Sequence, residues 1–510
     1  MSQHDSLLKE SPQQKAWIII TVMCVAILEV LDSTIINVAL PHMMPALSAN
    51  QEEITWVLTS YVVASAVMLP LTGFFSKLLG EKKLLLICTT GFMVSSQLCG
   101  TANTLTEMVV LRCLQGAFGA ALIPLSQSIL KQSFPAEEQG KAMAIWGLGI
   151  MVAPVLGPTL GGIITEHSSW RWVFYINTPI CAIALALAFF VIPKSSGQKQ
   201  TIDWMGIALM FIGISCLQLF LDQGNNQDWF NSHAIIILCI CSGIGMILFI
   251  ARSLTTPKPA INLRLFSERN FRLATLCLCI FCGAQFSLLV LEPVMLQTLF
   301  GYTAIVSGLT LMPMGLFSAI SVGICANLMN KTKVKYILLV GVVFSVSGAH
   351  YLSSLNLESS QNHFLIANAI MGFGMGFFMV PLAVYALANL PEKDTTEGAG
   401  LYSYGRMLGT SIGISLMTTL VSRETQKHWS NFGRHLTPYN TNLQIWLQKQ
   451  QSSIHNLKTM SILKMQLYQQ ANMRAYLDAF HVAAWLFIIM IPLILLMKHV
   501  ELKEGAPGAH

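Results

Sequence analysis

Asp32 lies deep inside the apolar stretch 17–39, and Glu29 stands three residues before it. A charge near the centre of a membrane span costs on the order of 2.5–3.5 kcal/mol even on insertion scales, so a carboxylate there marks an ion or substrate path. At a spacing of three the two carboxylates share a helix face, and like charges that close favour keeping at least one proton. Proton carriage is the chemistry this pattern suits. Arg112, inside the fourth apolar stretch, is a candidate partner for Asp32, either tuning proton release or acting as a static counter-charge. Glu292, just before Pro293, either draws cationic substrates into a cavity or sits in water at the interface. Met371, Met375, Phe377, Phe378, Met379, Tyr385, Tyr402 and Tyr404 offer thioethers and rings that adapt to apolar planar ligands, although side chains of these types more often fill cores.

Such groups need a membrane scaffold, and the composition provides one. In 510 residues 54% are hydrophobic and only 11% charged, too little charge to clothe a soluble protein of this size. Runs of about 20 apolar residues predict spans near 17–39, 54–76, 84–102, 108–130, 142–165, 172–193, 204–221, 233–251, 273–293, 303–329, 336–355, 363–389, 399–421 and 477–497, fourteen in all. The first run is expected to be a retained span and not a signal peptide, because no small-residue cleavage site follows it. Lys and Arg concentrate in 77–83, 252–272 and 331–335 and are absent from 40–53, 102–107, 222–232, 294–303 and 356–362. The positive-inside bias then puts both termini in the cytoplasm. The net charge of +6 belongs to this basic skirt and gives no reason to expect a nucleic-acid partner. All twelve cysteines fall in predicted spans, so no disulfide framework is indicated. Neither Cys277, Cys279 and Cys282 nor the histidines show metal-ligand spacing, and no metal is expected.

An internal repeat organises the chain. Gly149, Ala153, Gly157 and Gly161 recur every four residues in the fifth span, and Gly405, Gly409 and Gly413 do so in the thirteenth, offset by 256. Near the same offset Gly119 matches Gly376 and Pro124 matches Pro381. Spans one to six thus correspond to nine to fourteen, leaving seven and eight as an inserted pair. The expected layout is a cytoplasmic N-terminus at 1–16, a six-helix bundle at 17–193, the inserted pair at 194–253, a second bundle at 254–498 containing an outer loop at 422–476, and a cytoplasmic C-terminus at 499–510. Two parallel six-helix halves suit a rocking transporter with its site between them near the midplane. The glycine ridges, with Pro154, Pro158 and Gly162, form either a static packing groove or a sliding interface.

Several motifs resemble those of the EmrB-type fourteen-span drug:proton antiporters of the major facilitator superfamily. Leu31-Asp32-Ser33-Thr34-Ile35-Ile36-Asn37-Val38-Ala39-Leu40-Pro41 is similar to L-D-x-T-x-x-N-V-A-L-P; Arg112-Cys113-Leu114-Gln115-Gly116 is similar to R-x-x-Q-G. Ala153 to Gly162 resembles the antiporter motif containing G-P-x-x-G-G, and Trp170 to Pro179 resembles W-R-W-x-F-x-I-N-x-P. The resemblance implies an all-α integral membrane protein of the major facilitator fold, two six-helix bundles plus two extra helices. It implies proton-coupled export of hydrophobic or amphipathic drugs from a bacterial inner membrane, without enzymatic activity or cofactor. It further implies a periplasmic EmrA-type adaptor and a TolC-type outer-membrane channel as partners. Asp32, Arg112 and Glu29 are then the coupling residues, and Asn37, Gln115, Glu292, Met375, Phe378, Tyr404 and Arg406 the cavity candidates.

One loop departs from the superfamily pattern G-x-L-A-D-R-x-G-R-K, reading Gly73-Phe74-Phe75-Ser76-Lys77-Leu78-Leu79-Gly80-Glu81-Lys82-Lys83. Lys77 occupies the acidic position and Glu81 a basic one. Either the two pair at i,i+4 on an extended helix, or the loop is a basic turn that sets topology. The chain has no GxxxxGK[ST] phosphate loop, so an ion gradient must supply the energy. An importer or facilitator of the same fold and a non-transporting membrane scaffold are the competing classes.

Overall fold

The computed structural model describes residues 12–193, 195, 197, 202–257, 259–329, 331–391, 394–437, 439–449 and 456–498. The ends of the expected termini, 1–11 and 499–510, lie outside the described residues, as does most of 194–201. Every regular element described is helical. The long helices are α1 (Pro12–Ala46), α2 (Trp56–Leu79), α3 (Glu81–Thr101), α4 (Leu105–Gly119, resuming at Leu122–Ser133), α5 (Ala136–His167), α6 (Trp172–Tyr175, resuming at Asn177–Val191) and α7 (Trp204–Gln223). They continue as α8 (His233–Thr255), α9 (Arg269–Leu299), α10 (Ala304–Leu328), α11 (Val334–Ser353), α12 (Gln361–Ala388), α13 (Thr395–Arg434) and α14 (Leu457–Leu496).

Local chemistry sets the ends. Gly80, at φ 82°, stops α2 and lets α3 begin at the next residue, a conformation that costs little only without a Cβ. Thr104 and Glu107 form a reciprocal capping box at the start of α4. Asp203 caps α7 by accepting from the Gly206 amide at 3.1 Å, and also pairs with Arg252 at 2.7 Å. Burial pushes the Asp203 carboxyl up, but the Arg252 and Gly206 hydrogen bonds and the Arg252 charge outweigh it and hold it below its ordinary value.

The packing partners repeat with a shift of eight helices. In the first half α1 packs on α5 and α6, α4 on α2 and α3, and α3 on α6; in the second α9 packs on α13 and α14, α12 on α10 and α11, and α11 on α14. The halves meet through α2 against α13 and α5 against α10, which are equivalent pairs under the same shift. The repeat reaches single contacts. At Gly116 a Cβ would strike the Tyr61 carbonyl, and at Gly372, 256 residues on, it would strike the Met314 carbonyl.

α7 and α8 pack together, and α7 leans on both α2 and α13. Gln218 donates to Ser411 at 2.8 Å, Trp229 to Thr419 at 3.0 Å, and Thr59 to Asp222, so the pair is stitched to both halves. α8 turns Ile237, Ile240, Ile244 and Ile247 outward, as a lipid-facing helix should.

Among the described residues twelve helices are long and apolar enough to cross a membrane; α5 and α13, which carry the glycine ridges, stand outside those twelve. In α13 the stretch 399–421 mixes Gly, Ser, Thr, Tyr and Arg406 among its apolar residues. The segment expected as an outer loop, 422–476, is largely helical. α13 continues to Arg434, a short helix occupies Thr441–Lys449, and α14 starts at Leu457. Each of these 40-residue helices is ~60 Å long against a hydrocarbon core of ~30 Å, so together they extend well beyond any bilayer.

Candidate functional site

Asp32 is 1% exposed and Arg112 fully buried. Burying one ion would be costly, but here it is matched by a full set of donors. Arg112 Nη1 donates to Asp32 Oδ2 at 2.7 Å, while Gln115 Nε2 at 2.8 Å and Asn177 Nδ2 at 2.6 Å donate to Oδ1. Arg112 also donates to Gln115 Oε1 at 2.8 Å and to the Val57 carbonyl at 3.2 Å, and its guanidinium lies 4.2 Å from the Tyr61 ring centre. α1, α2, α4 and α6 thus converge on one ion pair inside the first half. Asn177 belongs to the 170–179 motif, yet sequence alone assigned it no role.

The cavity lies elsewhere. About 130 Å³ of space opens between the halves, bounded by α1, α4 and α5 on one side and α9, α12 and α13 on the other. Its walls are mostly apolar, with Trp146, Met375, Met379 and Phe286 among them. Glu29 enters from α1 and Arg406 from α13, one charge of each sign from opposite halves. The hydroxyls of Ser33, Thr34, Ser403 and Tyr402 and the amide of Gln127 add hydrogen-bonding groups.

The structure therefore separates the two carboxylates of α1. Asp32 faces the interior of its own bundle, and Glu29 faces the space between bundles. Of the other cavity candidates, Met375 and Arg406 line it and Pro154 adds to its wall. Asn37 does not: it is exposed in the C-terminal half of α1, donating to the Thr34 carbonyl. Gln115 is committed to Asp32 and Arg112. Phe378 is fully buried and stacks on Phe281 at 4.3 Å. Tyr404 does not line the cavity, and its buried hydroxyl has no hydrogen-bond partner among the described residues. Glu292 is neither at a wet interface nor on the cavity wall; it is fully buried in the second half.

The ridges do not oppose one another. Gly157 and Gly161 press on Thr34 and Ile35 of α1, whereas Gly409 and Gly413 press on Cys279 and Gly283 of α9. Gly149 and Gly405 meet Met23 and Thr275 of the same two helices, and Gly162 approaches Val38. Each ridge seats the fifth helix of a half on its first, a packing task inside the bundle. Pro158 belongs to α5, but its side chain lies outside the described set.

At the basic end Lys77 and Glu81 do not pair, because Gly80 breaks the helix between them. Lys77 Nζ reaches across to Glu397 at 2.5 Å and Asp394 at 3.0 Å, joining α2 to α13. Glu81 accepts from Ser128 at 2.6 Å, Gln132 at 2.8 Å and, across the halves, Thr396. Lys131 donates to the Leu387 and Leu390 carbonyls. The altered loop is a latch between halves whose cation comes from the first. Its acids, 317 and 320 residues away, carried no sequence signal.

The Major Facilitator Superfamily profile matches residues 22–414. The chain belongs to that superfamily. Within it the chain falls in the EmrB-type group. It is 34% identical over 477 residues to the multidrug export protein EmrB of Haemophilus influenzae, covering 92% of this chain and 93% of that protein. It is 32% identical over 486 residues to the fatty acid resistance protein FarB of Neisseria gonorrhoeae, covering 95% and 96%. The solved structure of the proton:xylose symporter XylE superposes with a TM-score of 0.64 at 13% identity over 97% of this chain and 98% of that one, a likeness of fold.

Proposed function

We propose that the protein is a multidrug efflux transporter that exchanges protons for hydrophobic or amphipathic compounds, working by alternating access. The observation that carries this reading is the cavity between the halves, apolar over most of its wall yet presenting Glu29 and Arg406. Names of the relatives point the same way: multidrug export for EmrB, and fatty acid resistance for FarB. An apolar wall accepts many shapes, while a carboxylate and a guanidinium orient cationic or anionic head groups. In this reading Asp32 binds the coupling proton when its pair with Arg112 opens, and Glu29 carries charge to the substrate. One charge crossing 100 mV supplies ~2.3 kcal/mol, roughly a fiftyfold concentration ratio.

Fourteen spans, cytoplasmic termini and an inner-membrane location complete the proposal, supported by the distribution of Lys and Arg. The projecting pair α13–α14 is the natural place for a periplasmic adaptor, through which an outer-membrane channel would join. Cells expressing the protein should exclude a cationic dye, and a protonophore should abolish the exclusion. Accumulation indifferent to the gradient would instead favour a facilitator.

A further inference from the structure

Glu292 of α9 is fully buried in the second half, yet among the described residues it has a single hydrogen-bond partner: Asn368 Nδ2 of α12 donates to Oε1 at 2.6 Å. Two oxygens are left over. Glu292 Oε2 and Asn368 Oδ1 both lie buried without a hydrogen-bond partner among the described residues. A carboxylate and an amide oxygen both accept, so neither can satisfy the other unless a proton is added. Around this pair α10 supplies only the Thr310 carbonyl, which accepts from the same Asn368 nitrogen at 3.1 Å. On α14 Tyr476 reaches Thr298, further along α9; on α13 Arg406 faces the central cavity. Among the described residues no Lys, Arg or His forms an ion pair with Glu292.

The internal repeat shows what this site lacks. Position 368 is position 112 shifted by 256, and the two side chains make equivalent contacts: Arg112 donates to the Val57 carbonyl of α2, Asn368 to the Thr310 carbonyl of α10. In the first half this position carries a cation, whose Nη1 donates to Asp32 Oδ2 at 2.7 Å. In the second it carries a neutral amide, and a buried carboxylate with no cation is the less favourable form.

We propose that Glu292 is a proton-binding site of the second half, holding its proton on Oε2 in this conformation and releasing it during the transport cycle. On release the O–H bond at Oε2 breaks, its electrons stay on the carboxylate, and the proton passes to water admitted when α9 and α12 part. The binding half of the proposal stands independently of the function proposed above; the release half rests on it.

Infrared difference spectra of the purified full-length protein at neutral pH test the binding. The wild type should show a protonated-carboxyl band that Glu292→Gln removes. Asn368→Leu, which leaves the carboxyl in place, should shift the band. Asp32→Asn should leave it where it is. A band unaffected by both changes at 292 and 368 would overturn the proposal. Release is read in proteoliposomes. Glu292→Gln should displace the pH of half-maximal gradient-driven transport by about one unit, a tenfold change in proton affinity, and Glu292→Asp should recover most of it. An unaltered pH profile would reduce Glu292 to a static hydrogen-bonding group and refute the release. Wild-type vesicles that show no gradient-driven transport would count against the proposed function, with the infrared result still deciding protonation.

Discussion

Replacing Asp32 by Asn separates the neutralisation of a buried cation from the proton binding proposed for that residue. The new amide oxygen can still accept from Gln115 and Asn177, but its NH₂ group would face Arg112 Nη1 where a carboxylate oxygen now lies at 2.7 Å. Breaking one side of a buried pair costs roughly 3–5 kcal/mol. The loss should fall at the lower end of that range, because Arg112 keeps Gln115 Oε1 at 2.8 Å, the Val57 carbonyl at 3.2 Å and the Tyr61 ring. Removing both charges in an Asp32→Asn/Arg112→Gln double variant should recover most of it, a coupling of ~2–3 kcal/mol. Thermal unfolding in detergent reads the stability cycle. Proteoliposomes loaded with a fluorescent cation under an imposed pH gradient read the transport. The single variant should lose gradient-driven transport while retaining substrate binding, and the double variant should regain stability without regaining coupling. Undiminished transport in the single variant removes Asp32 from the mechanism; additive stability losses mean that the ion pair contributes nothing as a pair.

Charge at the latch between α2 and α13 should govern access from the basic end. Glu397→Gln should raise the labelling rate of a cysteine placed on the Lys77 side of the cavity, and Lys77→Glu with Glu397→Lys should restore protection where either alone does not. Gly413→Ala should disrupt assembly, since a Cβ there would overlap the backbone of Gly283, whereas Gly149→Ala should cost less because it meets side-chain atoms of Met23 and Ile27 and no backbone; monodispersity in detergent distinguishes them. Glu29→Gln should weaken binding of cationic substrates and spare neutral ones, measured by equilibrium dialysis. Asp203 contributes stability through its lowered proton affinity. That contribution is present above the ordinary carboxylate range and lost as pH falls through the folded value, so Asp203→Asn should lower the unfolding temperature at pH 7 and converge on the wild type in acid. Deleting 430–470 should abolish co-purification of an adaptor if the α13–α14 projection is its dock; unchanged recovery counts against docking there.

Sequence determined what could be settled by composition and by local spacing. A chain this apolar must satisfy its backbone inside helices, and runs of about twenty residues mark where they cross. The 256-residue repeat pointed to paired halves because duplicated helices keep the small residues their packing requires. Depth in the first span made Asp32 a functional candidate for the same energetic reason that holds in the folded protein. Tertiary structure alone decided which way each group points. Glu29 and Asp32 are one helical turn apart, a spacing that places them on the same side of α1 but says nothing of what packs there. Arg112, Gln115 and Asn177 arrive from α4 and α6 to enclose Asp32, while α12 and α13 arrive from the other half to leave a space beside Glu29. Lys77 likewise finds its acids more than 300 residues away, and Glu292 finds an amide where Asp32 finds a cation. Electrostatic partners are set by distance in space, and a single sequence fixes such distances only within a few turns of one helix.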